Sequence, residues 1–305
     1  MTKVFVSYCH AQSEWVGDRL VPVLKAGGAH VLIDRERFEA GKAILGQMDA
    51  VQDQAERQLL VLSPEYLASK PCAHEMQRAI DLDPDFSQGT VIPVLRADCK
   101  LPNQIKRPNP LYVNLQDDRQ DEPWDKLLAG CGADLSVSAP HWLNVRDELR
   151  QLLSQDYSVN LVVSGEKVAW RAMIQHLADE HLPGLVQVDF NSGSTIKRPG
   201  LLREMLGGGE ATSALPDPPD DLSRLQEIIE SRPGLTRIAL LHFDLVRQRN
   251  YGIDLFSTLR FLVGERRKIA LLIESRQPFD SLLPPDAPTL RSWLDLKTVE
   301  LRGRL

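Results

Sequence analysis

The sequence predicts two α/β domains in tandem, each a parallel sheet wrapped by helices. Three observations carry this. The 305 residues exceed what one domain of roughly 100–200 residues needs. Short apolar runs alternate with longer helical patterns in both halves. A polar break at Asp134–Ser138 separates the two series.

In the first half, strands are expected at Lys3–Tyr8, His30–Asp34, Gln58–Ser63, Val91–Leu95 and Leu111–Leu115. Helical patterns fall near Ser13–Ala26, Lys42–Glu56 and Cys72–Asp81. The crossovers are long enough to contain a helix, as parallel neighbours require, and strand twist makes them right-handed. A flavodoxin-like five-stranded parallel sheet, ordered 2-1-3-4-5, is the simplest solution. Pro93 lacks a ladder donor, which pushes the fourth strand outward. Pro102, Pro108 and Pro110 make the connection after it irregular.

Pro140 then opens a helix whose apolar face is Trp142, Val145, Leu149, Leu152 and Leu153. Residues 136–154 are therefore read as a linker helix between a first domain, 1–135, and a second α/β three-layer domain, 155–305. Strands of the second domain are expected at Val159–Val163, Leu185–Phe190, Arg237–Phe243, Lys268–Glu274 and Lys297–Leu301. Leu161–Lys167 ends a strand where a phosphate-binding loop would sit, but the pattern fails. A phosphate cradle needs G-x-x-x-x-G-K-[ST]; here Gly165 stands two before Lys167 and Val168 replaces the hydroxyl residue.

Composition excludes several classes. A net charge of −6, with no basic half, denies the field on which phosphate-backbone binding relies, so no direct nucleic-acid binding is expected. No apolar stretch approaches the ~20 residues that cross a bilayer, and Met1-Thr2-Lys3 leads straight into a strand pattern, so a cytoplasmic protein is expected. Cys9, Cys72, Cys99 and Cys131 lack paired spacing, which argues for reduced thiols and no metal site.

The chemistry-bearing candidate is Glu75, at the start of the helix after the third strand. In open α/β sheets ligands sit beyond the carboxyl ends of the strands, and Glu75 falls there, over an expected cleft. A first-turn glutamate favoured by the helix dipole reads the same way locally. Ser7, Tyr8 and His10 leave the first strand, and Arg37 and Phe38 lie in the loop after the second. A guanidinium fork suits a pyrophosphate and a phenyl ring offers a stacking face.

Laid side by side, these segments resemble a Toll/interleukin-1 receptor (TIR) domain of the NAD-cleaving branch, over about residues 1–135. Lys3-Val4-Phe5-Val6-Ser7-Tyr8 is similar to the family's first box. Val31 to Lys42, with its Glu39-Ala40-Gly41-Lys42 run, is similar to the second strand and BB loop. Leu60-Val61-Leu62-Ser63-Pro64 followed by Ser69, Cys72 and Glu75 is similar to the third strand and catalytic helix. The resemblance implies an NAD+ glycohydrolase that yields nicotinamide and ADP-ribose or its cyclic form. Glu75 would be catalytic, and Ser7, Tyr8, His10, Arg37, Phe38, Ser69 and Cys72 would bind NAD+ as substrate, with no cofactor. It also implies self-association through TIR domains as the activating step in a bacterial-type defence or signalling system. The alternative it leaves is a non-catalytic TIR scaffold. Pro71 departs from the pattern, because active members often carry an aromatic residue there. In the second half, Ile238–Asp244 and Ile269–Arg276 are similar to later core strands of STAND-type ATPases. That implies a degenerate P-loop-like module that senses a protein or nucleotide trigger or oligomerises.

Overall fold

The computed structural model of the chain describes residues 1–33, 49–208, 215–216, 220–249, 251–282 and 296–304. Arg37, Phe38 and the Glu39–Lys42 run lie outside the described residues, as do residues 42–48 of the helix expected over Lys42–Glu56; residues 49–52 of it are helical. The chain divides into two compact units, Met1–Leu143 and Asn144–Leu305. Both have the expected α/β architecture.

The first unit holds β1 (Lys3–Ser7), β2 (His30–Leu32), β3 (Arg57–Leu62), β4 (Val91–Leu95) and β5 (Val113–Asn114). Every pair is parallel and the order is β2-β1-β3-β4-β5. Leu59, Leu60, Val61 and Leu62 are all fully buried, as a strand covered on both faces must be. The proline effect is narrower than expected, because β4 is an inner strand and β5 is the edge. The amide of Arg96 bonds to Leu62 while the carbonyl of Leu95 accepts from Leu115, so odd positions of β4 face β5. Pro93 falls on that side, and β5 pairs only from Val94 onward, so its missing N–H costs no ladder bond.

Helix α1 spans Val21–Ala26, and the site is carried by α2 (Pro64–Ala68) and α3 (Lys70–Leu82). The helical pattern before α1 is built from Ser13–Trp15 and a wider π turn, Val16–Leu20. Pro64 and Pro71 each stand in a first turn, where no intrahelical donor is needed. Cys72, Met76, Ala79 and Ile80, spaced as one face of a helix, pack with Leu60, Leu62, Tyr66, Val91, Leu95 and Ile105 into a core under α3.

In the second unit, β6 (Val159–Ser164), β7 (Val186–Asp189), β8 (Thr236–Leu241), β9 (Ile269–Ser275) and β10 (Lys297–Arg302) form another parallel sheet, ordered β10-β6-β9-β8-β7. Its strands fall where the apolar runs predict. The helix opened by Pro140, α4 (Ala139–Ser154), runs through the boundary between the units. Among the described residues, no helix is long and apolar enough to cross a membrane.

Candidate functional site

Glu75 lies on the buried stripe of α3, three residues after Cys72 and four before Ala79, so helical geometry turns it inward. It is 4% exposed. The carboxylate expected over a cleft is instead covered, and its partners explain why. Ser7, at the carboxyl end of β1, donates its hydroxyl proton to Glu75 Oε2. The same Ser7 Oγ lies 2.7 Å from the Tyr66 hydroxyl, which comes from α2. Ser7 has one proton to give, so Tyr66 must be the donor at that contact. The result is a buried chain, Tyr66 O–H to Ser7 O–H to Glu75 carboxylate.

This chain fixes the protonation of its far end. Burial pushes the Tyr66 phenol well above its ordinary range, the bond with Ser7 acts against it, and the nearby Glu75 carboxylate adds to the rise. Tyr66 therefore stays a donor at physiological pH. Its position comes from a cap: Ser63, in extended conformation after β3, accepts from the Tyr66 N–H at 3.2 Å and starts α2. Ser69 does the same for α3 by accepting from Cys72 N–H.

The sequence-derived set is brought together in part. Ser7, Tyr8, Ser69, Cys72 and Glu75 meet where β1 ends and α3 begins; Cys72 Sγ donates to the Tyr8 carbonyl at 3.7 Å. His10 stands one turn further along, exposed, at the start of a short 3₁₀ turn. His74 pairs with Asp49 across 3.1 Å at the surface. Arg37 and Phe38 lie outside the described residues. Two participants were missed. Tyr66 sits in the run from Gln58 to Leu67, and its sequence neighbours do not signal the hydroxyl it shares with Ser7. Gln52, whose side-chain amide donates to the Glu75 carbonyl at 3.0 Å, gives no signal in sequence.

In the second unit, the loop after β6 does not form a phosphate cradle. Gly165 has φ of +104°, and a Cβ there would meet Gly303 Cα at 3.1 Å, so the glycine serves a close backbone approach. The Gly165 carbonyl accepts from Arg276 at 2.8 Å, and the next helix begins only at Trp170. The carboxyl ends of β7, β8 and β9 carry Asp189, His242 and Glu274. His242 Nδ1 donates to Asp189 at 2.8 Å, and its backbone N–H donates to Glu274 at 2.6 Å. Burial works against the Asp189 charge, but bonds from His242, the Asn191 N–H and Arg171 hold its carboxyl below the usual range. Burial pushes the Glu274 carboxyl up despite the His242 bond. Among the described residues no group of His, Cys, Asp and Glu is arranged to hold a metal.

A family model described as the TIR domain matches residues 4–128. Toll-like receptor 6 of Bos taurus and Toll-like receptor 1 of Homo sapiens are each 29% identical over 72 residues, 24% of this chain. The matched segment is 9% of each receptor, so the chain corresponds to about a tenth of the curated relatives it matches. The solved TIR domain of the Toll-related receptor TRR-2 from Hydra magnipapillata aligns at a TM-score of 0.37 and 20% identity, covering 42% of this chain and 97% of that one. The Aeropyrum pernix ORC1 protein in complex with DNA aligns at 0.38 and 18%, covering 53% and 44%. Neither alignment adds to the assignment, which rests on the family model and the parallel sheet ordered β2-β1-β3-β4-β5. Residues 4–128 are similar to the TIR domain, and the chain carries this segment ahead of a second α/β domain.

Proposed function

We propose that the TIR domain cleaves the bond between nicotinamide and ribose in NAD+, with Glu75 as the catalytic carboxylate. The observation that carries this reading is an acid on the apolar stripe of α3, beyond the carboxyl ends of β1 and β3, held by a hydroxyl that is itself held. Nicotinamide leaves as a neutral molecule, so the departing group needs no general acid, unlike ordinary glycoside hydrolysis with its two carboxylates. What the reaction needs is a fixed negative charge near the oxocarbenium-like ribose and an acceptor for its hydroxyls. A preorganised charge of this kind is typically worth ~3–4 kcal/mol, or two to three orders of magnitude in rate.

Burial of Glu75 fits an enzyme held off until assembly. In the single chain the carboxylate is occupied internally; association of TIR domains is the step that frees it for NAD+. The second domain receives the trigger or brings copies together, without hydrolysing ATP. This describes a cytoplasmic NAD+ glycohydrolase in a bacterial-type defence or signalling system. The test is nicotinamide release, followed by chromatography, at rising protein concentration with and without a molecular crowder. Turnover per chain should rise with concentration; a rate strictly proportional to protein would remove the assembly step.

The second reading is a scaffold that acts by TIR–TIR contacts alone. It is favoured by the internal pairing of Glu75 with Ser7, which makes the carboxylate a structural member of the core. The two readings separate on whether any assembling condition yields nicotinamide.

A further inference from the structure

Glu75 is held at both ends. Ser7 of β1 fixes its carboxylate, and Gln52 Nε2 donates to its backbone carbonyl at 3.0 Å. Gln52 is in turn tied to the sheet: Gln58 Nε2, near the start of β3, donates to the Gln52 carbonyl at 3.0 Å. Both glutamines are essentially inaccessible, at 1% and 0% exposure, and both bonds are buried. Around them, Asp49 pairs with His74 and Arg78 at 3.1 Å, and Asp53 pairs with Arg78 at 2.5 Å. Those ion pairs are partly exposed and individually weak.

Apolar packing sets how close α3 lies to the sheet but is not directional, whereas a buried hydrogen bond fixes rotation and translation. We propose that Gln52 is a positioning residue for Glu75: the Gln58–Gln52 relay references the helix turn that carries the carboxylate to β3, as Ser7 references the carboxylate to β1. The cost of the arrangement marks it as more than packing. Gln52 Oε1 and Gln58 Oε1 are buried with no donor among the described residues. Two buried acceptors left bare are a poor choice for stability alone, since an apolar side chain of the same shape would avoid them. The amides are retained for what their N–H groups hold.

The inference rests on the proposed reaction for its kinetic readout but not for its structural one. In Gln52→Met and Gln58→Met, shape is kept while the donor and the orphan acceptor both disappear. The thermal midpoint of Gln52→Met should be no lower than that of the native protein. Its kcat should fall about tenfold, with KM within about twofold, because a small misplacement of a reacting group is felt in the chemical step. Gln58→Met should act in the same direction. A second variant, Gln52→Glu, keeps the length of the side chain and loses the donor, and should lose kcat similarly. Unchanged kcat in all three, or kcat lost only in step with the melting temperature, overturns the proposal. Should the native protein release no nicotinamide, the reaction falls and positioning is still judged, by carbon-13 titration of the Glu75 carboxyl. A titration midpoint that moves in Gln52→Met supports the relay, and one that stays overturns it.

Discussion

At the scale of single residues, the site rests on three side chains that no local pattern joins. Tyr66 and Glu75 lie 59 and 68 positions from Ser7, and they meet only because β1 lies beside β3 in the sheet and α2 and α3 follow β3. Ser7 and Glu75 were legible through the resemblance of their segments to one family. Tyr66 and Gln52 were not, since one sequence does not tell which distant polar groups will share a bond. Ser7→Ala would leave a buried carboxylate and a buried phenol without their common partner. We expect a loss of about 1–3 kcal/mol, the cost of unsatisfied buried groups, seen as a lower denaturant midpoint at an unchanged slope. An unchanged midpoint would mean that the Tyr66–Ser7–Glu75 chain is not formed in solution.

At the scale of elements, the site depends on how two successive helices start. Ser63 stops β3 and caps α2, so it sets where Tyr66 points; Ser69 and Pro71 set the first turn of α3, so they set where Glu75 points. These punctuation signals were readable, and the strands they follow appear within a residue or two of expectation. The fourth strand is less legible. Pro93 suggests a strand pushed outward, yet β4 is an inner strand whose neighbour starts late, and a proline alone does not tell the two apart. Ser63→Ala should cost ~0.5–2 kcal/mol, as loss of a helix cap does, and should reduce nicotinamide release beyond the fraction unfolded. Loss of stability with full specific activity in the folded fraction would separate the cap from the site.

At the scale of the whole molecule, the two units share an architecture and differ in how open their chemistry is to reading. The second sheet places a buried carboxyl, Glu274, next to the backbone of His242, and burial raises its folded-state value above that of the unfolded chain. A raised value contributes stability that is present below about pH 4.5 and is lost as pH rises through the folded value. Glu274→Gln, which mimics the protonated form and still accepts from His242, should therefore melt higher than the native protein at pH 7, with the difference vanishing near pH 4. A variant that melts lower at pH 7 would mean that the charged form is the one the fold favours. Nothing in the sequence signalled this group, because its surroundings come from three strand ends that only the sheet order brings together. The central claim concerns the first unit, and its most direct test is proton NMR of free nicotinamide during incubation with NAD+, for native protein and Glu75→Gln at equal folded concentration under crowding. The account predicts release by the native protein and a rate at least about a hundredfold lower for Glu75→Gln; equal rates, or no release from the native protein, would contradict it.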